Sequence, residues 1–188
     1  MKAVKKSLVL LSLAVILVLS ACGNKENSNN SNTATESEHS NMGEMDHSGS
    51  GEVPEGIKDA ENPTYKVGDE VVIQADHMEG MNGAKATVVG AYDTVAYTVT
   101  FTPTTGGDPI PDHKWVIQEE IKDAGSEPLK EGDKVTLEAD HMEGMMGAEA
   151  TIDSAERTTV YMVDYTPATG GNPVKNHQWL VESELSTK

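Results

Sequence analysis

The sequence predicts an all-β protein: two tandem small β-barrels carried behind a polar, disordered tether. Three observations lead there. A block recurs without a gap at an offset of 64 residues, from Lys66/Lys130 to Glu120/Glu184, with about half of its positions identical. Within each copy the apolar residues alternate with a period of two, the pattern of a half-buried strand. Gly-Asp, Gly-Gly and Pro signals then punctuate the runs and turn the chain back on itself.

Taken in chain order, residues 1–21 read as a signal peptide. Lys2, Lys5 and Lys6 form a positive start, and Leu8 to Leu19 is an apolar run too short for a typical membrane span. The run ends in Leu19-Ser20-Ala21-Cys22, which looks like a bacterial lipobox and implies cleavage before Cys22 and lipidation of its thiol. Cys22 is the only cysteine, so the exported chain has no disulfide and offers no other thiolate to a metal. Residues 22–60 carry the lipidated Cys22 and a stretch rich in Asn, Ser, Thr, Glu and Gly. This stretch buries too little apolar surface to offset its ordering entropy, and it reads as a disordered tether.

Residues 61–125 and 126–188 are the two repeats. Each opens on a Gly-Asp turn, Gly68-Asp69 and Gly132-Asp133. Val71 and Ile73, matched by Val135 and Leu137, begin the first strand. Ala84, Ala86 and Val88, matched by Ala148, Ala150 and Ile152, mark the second. Tyr97, Val99 and Phe101 point inward on the clearest strand, with Thr98 and Thr100 outward; its partner has Tyr161, Val163 and Tyr165. Thr102-Pro103-Thr104-Thr105-Gly106-Gly107-Asp108-Pro109 breaks the ladder, and Trp115 to Gln118 forms the last strand. This order of turn, Ala-rich strand and Tyr-Val strand resembles an SH3-like barrel of the KOW or Tudor type. A barrel of about 60 residues is marginal alone. With only Lys122 to Pro128 between the repeats, the two are expected to pack as one pseudo-symmetric unit.

The charge narrows the function. The chain has 14 basic and 31 acidic residues; losing the three signal lysines leaves 11 against 31, a net charge of −20 with His neutral. Such a field does not bind nucleic acid or anionic lipid, and it gathers cations. The chemistry lies in His and Met. Four of the six histidines are repeat-related, His77 with His141 and His113 with His177. The other two, His39 and His47, bracket Met42 and Met45 in the tether. Each copy carries Asp-His-Met-Glu-Gly-Met, which supplies His77, Met78 and Met81 in the first and His141, Met142 and Met145 in the second. Met146 replaces Asn82, so the second copy has one more thioether. Thioether sulfur and imidazole nitrogen at short spacing favour soft copper(I) over oxygen-seeking ions.

Two readings stand for the folded clusters. Met78 and Met142 are either ligands or fillers of a small core. Met81 and Met145 fall beside Gly in an expected loop, where exposure follows. His113 and His177 precede Trp115 and Trp179 by two residues; either the indole covers a bound copper by cation–π contact, or the Trp is core and the His lies on the surface. In the tether no core exists for Met42 and Met45 to fill. Asp76, Glu79, Asp140 and Glu143 are repeated carboxylates that could tune a site. No nucleophile motif, phosphate loop, Cys-x-x-Cys or His-Glu-x-x-His points to an enzyme.

The lipobox, the His/Met tether and the two Ala-Asp-His-Met-x-Gly-Met-x-Gly-Ala segments, with Tyr-x-Val, Thr-Pro-x-Thr-Gly-Gly and His-x-Trp downstream, resemble the YdhK-type lipoproteins of Gram-positive bacteria. That family includes the copper-resistance lipoprotein CopL. The resemblance covers the whole mature chain. It implies a non-enzymatic copper-binding lipoprotein anchored by lipid to the outer face of the cell membrane, which buffers copper or hands it to an exporter. The alternative is an interaction lipoprotein whose repeats bind cell-wall polymer or a protein partner.

Overall fold

The computed structural model describes residues 48–187. Cys22, His39, Met42, Met45 and His47 therefore lie outside the described residues. The described chain is all-β apart from two 3-10 turns. Its strands are β1 (Lys58–Asp59), β2 (Glu70–Ile73), β3 (Lys85–Phe101), β4 (Ile110–Ile117), β5 (Lys134–Thr136), β6 (Glu149–Tyr165), β7 (Val174–Val181) and β8 (Leu185–Ser186). The 3-10 turns are Gln118–Glu120 and Glu182–Glu184. The Gly-Asp turns form where expected: Asp69 Oδ2 accepts from the Lys66 N–H and Asp133 Oδ2 from the Lys130 N–H, each at 2.8 Å.

The two strands read separately from Ala84 and from Tyr97 are one strand of 17 residues, as are their counterparts in the second repeat. These long strands, β3 and β6, pair antiparallel from Ala86↔Tyr165 to Phe101↔Ala150. Thr94 faces Thr158, its own equivalent at the 64-residue offset, so the pseudo-two-fold axis passes between them. The register shifts between Val88 and Gly90 and between Thr98 and Val99, which leaves Val89 and Asp153 as equivalent extra residues. Bulges of this kind bend a strand and increase its twist, which lets one strand serve two cores.

The sheet has eight strands in the order β5-β6-β3-β2-β8, with β1 and β4 also on β3 and β7 on β6. It is open. The expectation of two small closed barrels is therefore corrected to one shared open sheet, while the expected packing of the repeats as one pseudo-symmetric unit stands. The reason lies in the cores. One apolar cluster joins Val71, Ile73, Met81 and Val88 of the first repeat to Tyr161, Val163, Leu180 and Leu185 of the second. The other joins Tyr97, Val99, Phe101 and Val116 of the first to Leu137, Met145, Ala148 and Ile152 of the second. Each core takes the front half of one repeat and the back half of the other. A 60-residue repeat has too few large apolar residues to close a core alone, and exchanging halves solves this for both.

The exchange continues at the sheet ends. Ile73 pairs with Leu185, and Leu137 pairs with Ile121, the equivalent bridge. On the opposite face of the long strands, Ala96, Val160 and Met162 meet Trp115, Trp179, Ile117 and Val181 in a third cluster. The centre of the sheet is thus covered on both sides. Buried Gln118 pins the inter-repeat linker: its Nε2 donates to the carbonyls of Gly125 and Glu127, both at 3.1 Å.

The boundary of the tether also moves. Residues 48–60 were expected within it, but they lie along the fold. Gly49 N donates to Lys175 O at 2.8 Å, Lys175 N to Ser48 Oγ at 3.0 Å, and Gln178 Nε2 to Glu52 O at 2.9 Å. Further on, Lys58 and Asp59 pair with Asp93 and Tyr92. Backbone pairing with an available strand edge satisfies this segment, despite its polar composition.

Candidate metal centre

The repeated hexapeptides sit in the loops after β2 and β5. In the first, Met81 N donates to Met78 O at 3.2 Å and Gly83 N to Ile73 O at 2.8 Å. The second repeats this with Met145 N to Met142 O at 3.2 Å and Gly147 N to Leu137 O at 2.8 Å. Gly80 (φ 76°) and Gly144 (φ 81°) take the left-handed conformation that closes each turn. Each loop is seated on the Thr-Pro-x-Thr-Gly-Gly loop of the other repeat, through Ala168 N to Gly80 O at 2.7 Å and Thr104 N to Gly144 O at 2.9 Å.

The turn drives Met81 and Met145 inward, and both are fully buried, one in each core. This corrects the exposure expected from their Gly neighbours: a left-handed Gly reverses the chain within one residue, and the next side chain falls beneath the sheet. Met142 and Met146 are exposed at 38% and 51%, and Met78 is half-buried against the first core. The methionines of the two loops thus split into two buried in the cores, Met81 and Met145, one half-buried, Met78, and two exposed, Met142 and Met146.

The histidines of the loops are held across the repeats. His77 Nε2 lies 2.7 Å from Glu184 Oε1, and His141 Nε2 lies 2.7 Å from Glu120 Oε1. The tryptophans bind the same carboxylates. Trp115 Nε1 donates to Glu184 Oε2 at 2.8 Å, and Trp179 Nε1 donates to Glu120 Oε1 at 3.1 Å. The 3-10 turns complete the cradle, since Val181 N donates to Glu184 Oε2 and Ile117 N to Glu120 Oε2, both at 3.1 Å. Each glutamate therefore takes a His and a Trp from the opposite repeat and one amide from its own. Burial would raise the Glu184 carboxyl, but the His77 hydrogen bond and charge, the Trp115 indole and the Val181 amide outweigh it and hold the pKa below the ordinary value.

His113 lies on β4 opposite Val99, just after Asp112 in a left-handed conformation (φ 51°). Its ring meets Phe101 edge-on at 5.5 Å and stands 6.3 Å from the His141 ring. Burial, then the nearby His141 and His77, push its pKa down to about 4, against an opposing pull from Glu120. His113 is therefore a neutral imidazole at pH 7. His177 packs edge-on against Tyr165 at 5.8 Å, the equivalent contact. Of the two readings of these pairs, the tryptophans are indeed core, at 7% and 0% exposed, but His177 is buried and His113 half-buried instead of lying on the surface; the ring beside Trp115 is His77, at 6.5 Å. The cation over Trp115 is Lys114 Nζ, 5.4 Å from the ring centroid.

His77, His113, His141 and His177 all line one open cleft, with Met78, Met142 and Met146 on the same wall system. His77 Nδ1, His141 Nδ1 and His113 Nε2 are buried there without a hydrogen-bond partner. Buried nitrogens of this kind call for a partner. Among the described residues no three His, Cys, Asp or Glu side chains stand close enough to hold an ion by themselves. A complete ligand set in the cleft thus needs a thioether or a small side-chain movement. The repeated carboxylates singled out in the sequence, Asp76, Glu79, Asp140 and Glu143, are exposed, and Asp76, Asp140 and Glu143 line the same cleft, but none of the four makes a hydrogen bond to His77 or His141. The carboxylates that do are Glu120 and Glu184. The sequence held one signal for them: identical glutamates at the 64-residue offset, five residues beyond each Trp.

A family model described as a protein of unknown function, DUF1541, matches residues 67–118 and 131–182, one match per repeat. A curated relative from Bacillus subtilis (strain 168), the uncharacterized protein YdhK, is 58% identical over 188 residues, covering 100% of this chain and 92% of the relative. The crystal structure of that bacterium's ydhK, a DUF1541 family protein, is similar with a TM-score of 0.74 at 65% identity, over 77% of this chain and 99% of that one. A solution NMR structure of the ydhK C-terminal domain gives a TM-score of 0.63 at 65% identity, over 65% of this chain and 93% of that one.

Proposed function

The chain belongs to the DUF1541 family, and for this member we propose a non-enzymatic role: binding copper outside the membrane and buffering it or passing it to an exporter. The observation that carries this reading is the set of buried, unpartnered imidazole nitrogens on His77, His113 and His141, in one cleft with the sulfurs of Met78, Met142 and Met146. Imidazole and thioether together suit copper, and neutral thioether favours the monovalent ion. The cleft is also lined by carboxylates, among them Asp76, Asp140 and Glu143; they gather cations, and the imidazoles and thioethers beside them favour a soft ion over a hard one. The His39-Met42-Met45-His47 segment would supply a second cluster of the same chemistry. The lipobox-like Leu19-Ser20-Ala21-Cys22 supports anchoring by lipid, as the resemblance of the sequence to YdhK-type lipoproteins implies.

Copper(I) titration of the mature protein against a competing chelator tests the role. Tight binding is expected, with a large loss in the His77→Ala/His141→Ala double variant and a separate loss when residues 23–47 are deleted. Unchanged binding in the protein carrying both alterations would refute the reading. Anchoring is tested by Cys22→Ala, which is expected to move the protein out of the membrane fraction or leave it unprocessed; unchanged mass and fractionation would remove that claim.

A further inference from the structure

We propose that Glu120 and Glu184 are positioning residues that commit His141 and His77 to coordinate copper through Nδ1. The inference rests on the copper reading above and names the atoms that carry it.

The argument begins with the acceptor. A carboxylate offers only lone pairs, so the 2.7 Å contacts at Glu184 and Glu120 require a proton on Nε2 of His77 and of His141. Each imidazole is nine-tenths buried, with its side chain 10% exposed, and each partner carboxylate is 13% and 5% exposed. Once Nε2 holds the proton, the neutral ring has its lone pair on Nδ1. That atom is the one left buried and unpartnered in both rings. The carboxylates are themselves fixed, each by an indole and an amide, so the rings cannot turn freely to present Nε2 instead. A carboxylate behind a ligating imidazole also raises its basicity and sets its orientation.

The arrangement has a further consequence. Glu184 belongs to the second repeat and acts on His77 of the first; Glu120 belongs to the first and acts on His141 of the second. A correctly oriented imidazole exists in either repeat only when both have docked. Copper affinity and the docking of the repeats are thereby linked: an ion that binds the docked form stabilises it by mass action.

The test is nitrogen NMR of the mature chain, with and without copper(I) under anaerobic conditions. In the free protein, at a pH where the two rings are neutral, His77 and His141 are expected to show a protonated Nε2 and a bare Nδ1. On addition of copper(I), Nδ1 should shift while Nε2 keeps its proton. Glu120→Gln and Glu184→Gln, checked for folding by the dispersed amide spectrum, should weaken copper(I) binding by about 10- to 100-fold and let Nε2 coordination appear. If either variant does not fold, the wild-type spectra alone decide. Copper on Nε2 of His77 or His141, or folded Gln variants with wild-type affinity and Nδ1 signature, would overturn the positioning role while leaving copper binding intact. Absence of any copper-dependent shift would instead overturn the copper reading together with this one.

Discussion

The two classes of methionine make opposite predictions, and separating them tests the structure and the function together. Met81 and Met145 are fully buried in the two cores, while Met142 and Met146 are exposed. Met81→Ala deletes a side chain packed among Val71, Ile73, Ala84 and Tyr161. Large-to-small changes of this kind cost 2–5 kcal/mol, about 3 kcal/mol at the centre of the range. A shift of 2–4 °C per kcal/mol for a domain of this size turns that into a fall in Tm of roughly 10 °C. Against a total stability of about 5–15 kcal/mol this is a large fraction. Met81→Leu nearly conserves volume and should cost less than about 1.5 kcal/mol. For Met142→Leu with Met146→Leu, surface positions predict a change within about 0.5 kcal/mol. The assay is paired: urea or thermal unfolding for stability, and copper(I) competition for affinity. The expected pattern is crossed. The Met81 variants lose stability in the order Ala then Leu and keep copper affinity; the Met142/Met146 variant keeps stability and loses affinity. A Met81→Leu protein that is stable but binds copper as weakly as the Met142/Met146 variant would refute the assignment of Met81 to the core alone.

Two further outcomes follow from particular contacts. A Cβ on Gly80 would lie 2.5 Å from Thr169 Oγ1 and 2.8 Å from Pro167 Cβ of the other repeat, whereas Gly83 has open space and the same left-handed φ; Gly83→Ala should therefore cost only the backbone term, about 1–2 kcal/mol, and Gly80→Ala clearly more in urea unfolding. Equal costs at the two positions would show that the loops do not meet as described. Asp164 is slightly desolvated, but hydrogen bonds from Lys175 Nζ and the Asn176 amide and the Lys175 charge hold its pKa below the ordinary value. A carboxyl lowered in the folded state stabilises above its unfolded pKa and loses that contribution as the pH falls through the folded value. Asp164→Asn should thus be less stable than wild type at neutral pH, by under about 1 kcal/mol for so exposed a pair, and the gap should close in acid; a gap that widens on acidification would reverse the sign of this reasoning.

The sequence by itself determined the local structure and the chemical inventory. The period-two runs around Val71, Tyr97 and Tyr161 are strands, the Gly-Asp turns close where written, and the repeat places His77, Met78, Met81 and His113 at sites equivalent to His141, Met142, Met145 and His177. Local backbone preference and side-chain alternation are carried by neighbouring residues, so they can be read in one dimension. Which half pairs with which was decided only in three dimensions. A repeat paired within itself and two repeats with halves exchanged satisfy the same alternation, and the choice follows from total buried apolar surface, which no single window of sequence contains. The candidate centre follows the same division. The histidines were legible because imidazole beside thioether is a chemical signature. Glu120 and Glu184 were not, because a glutamate looks the same in sequence whether it faces water or a buried ring. Its meaning came from the partner repeat, which brings His77 and Trp115 to Glu184, and His141 and Trp179 to Glu120. Met81 and Met145 show the converse: their spacing suggested ligands, and the direction in which a left-handed glycine turned the chain made them core.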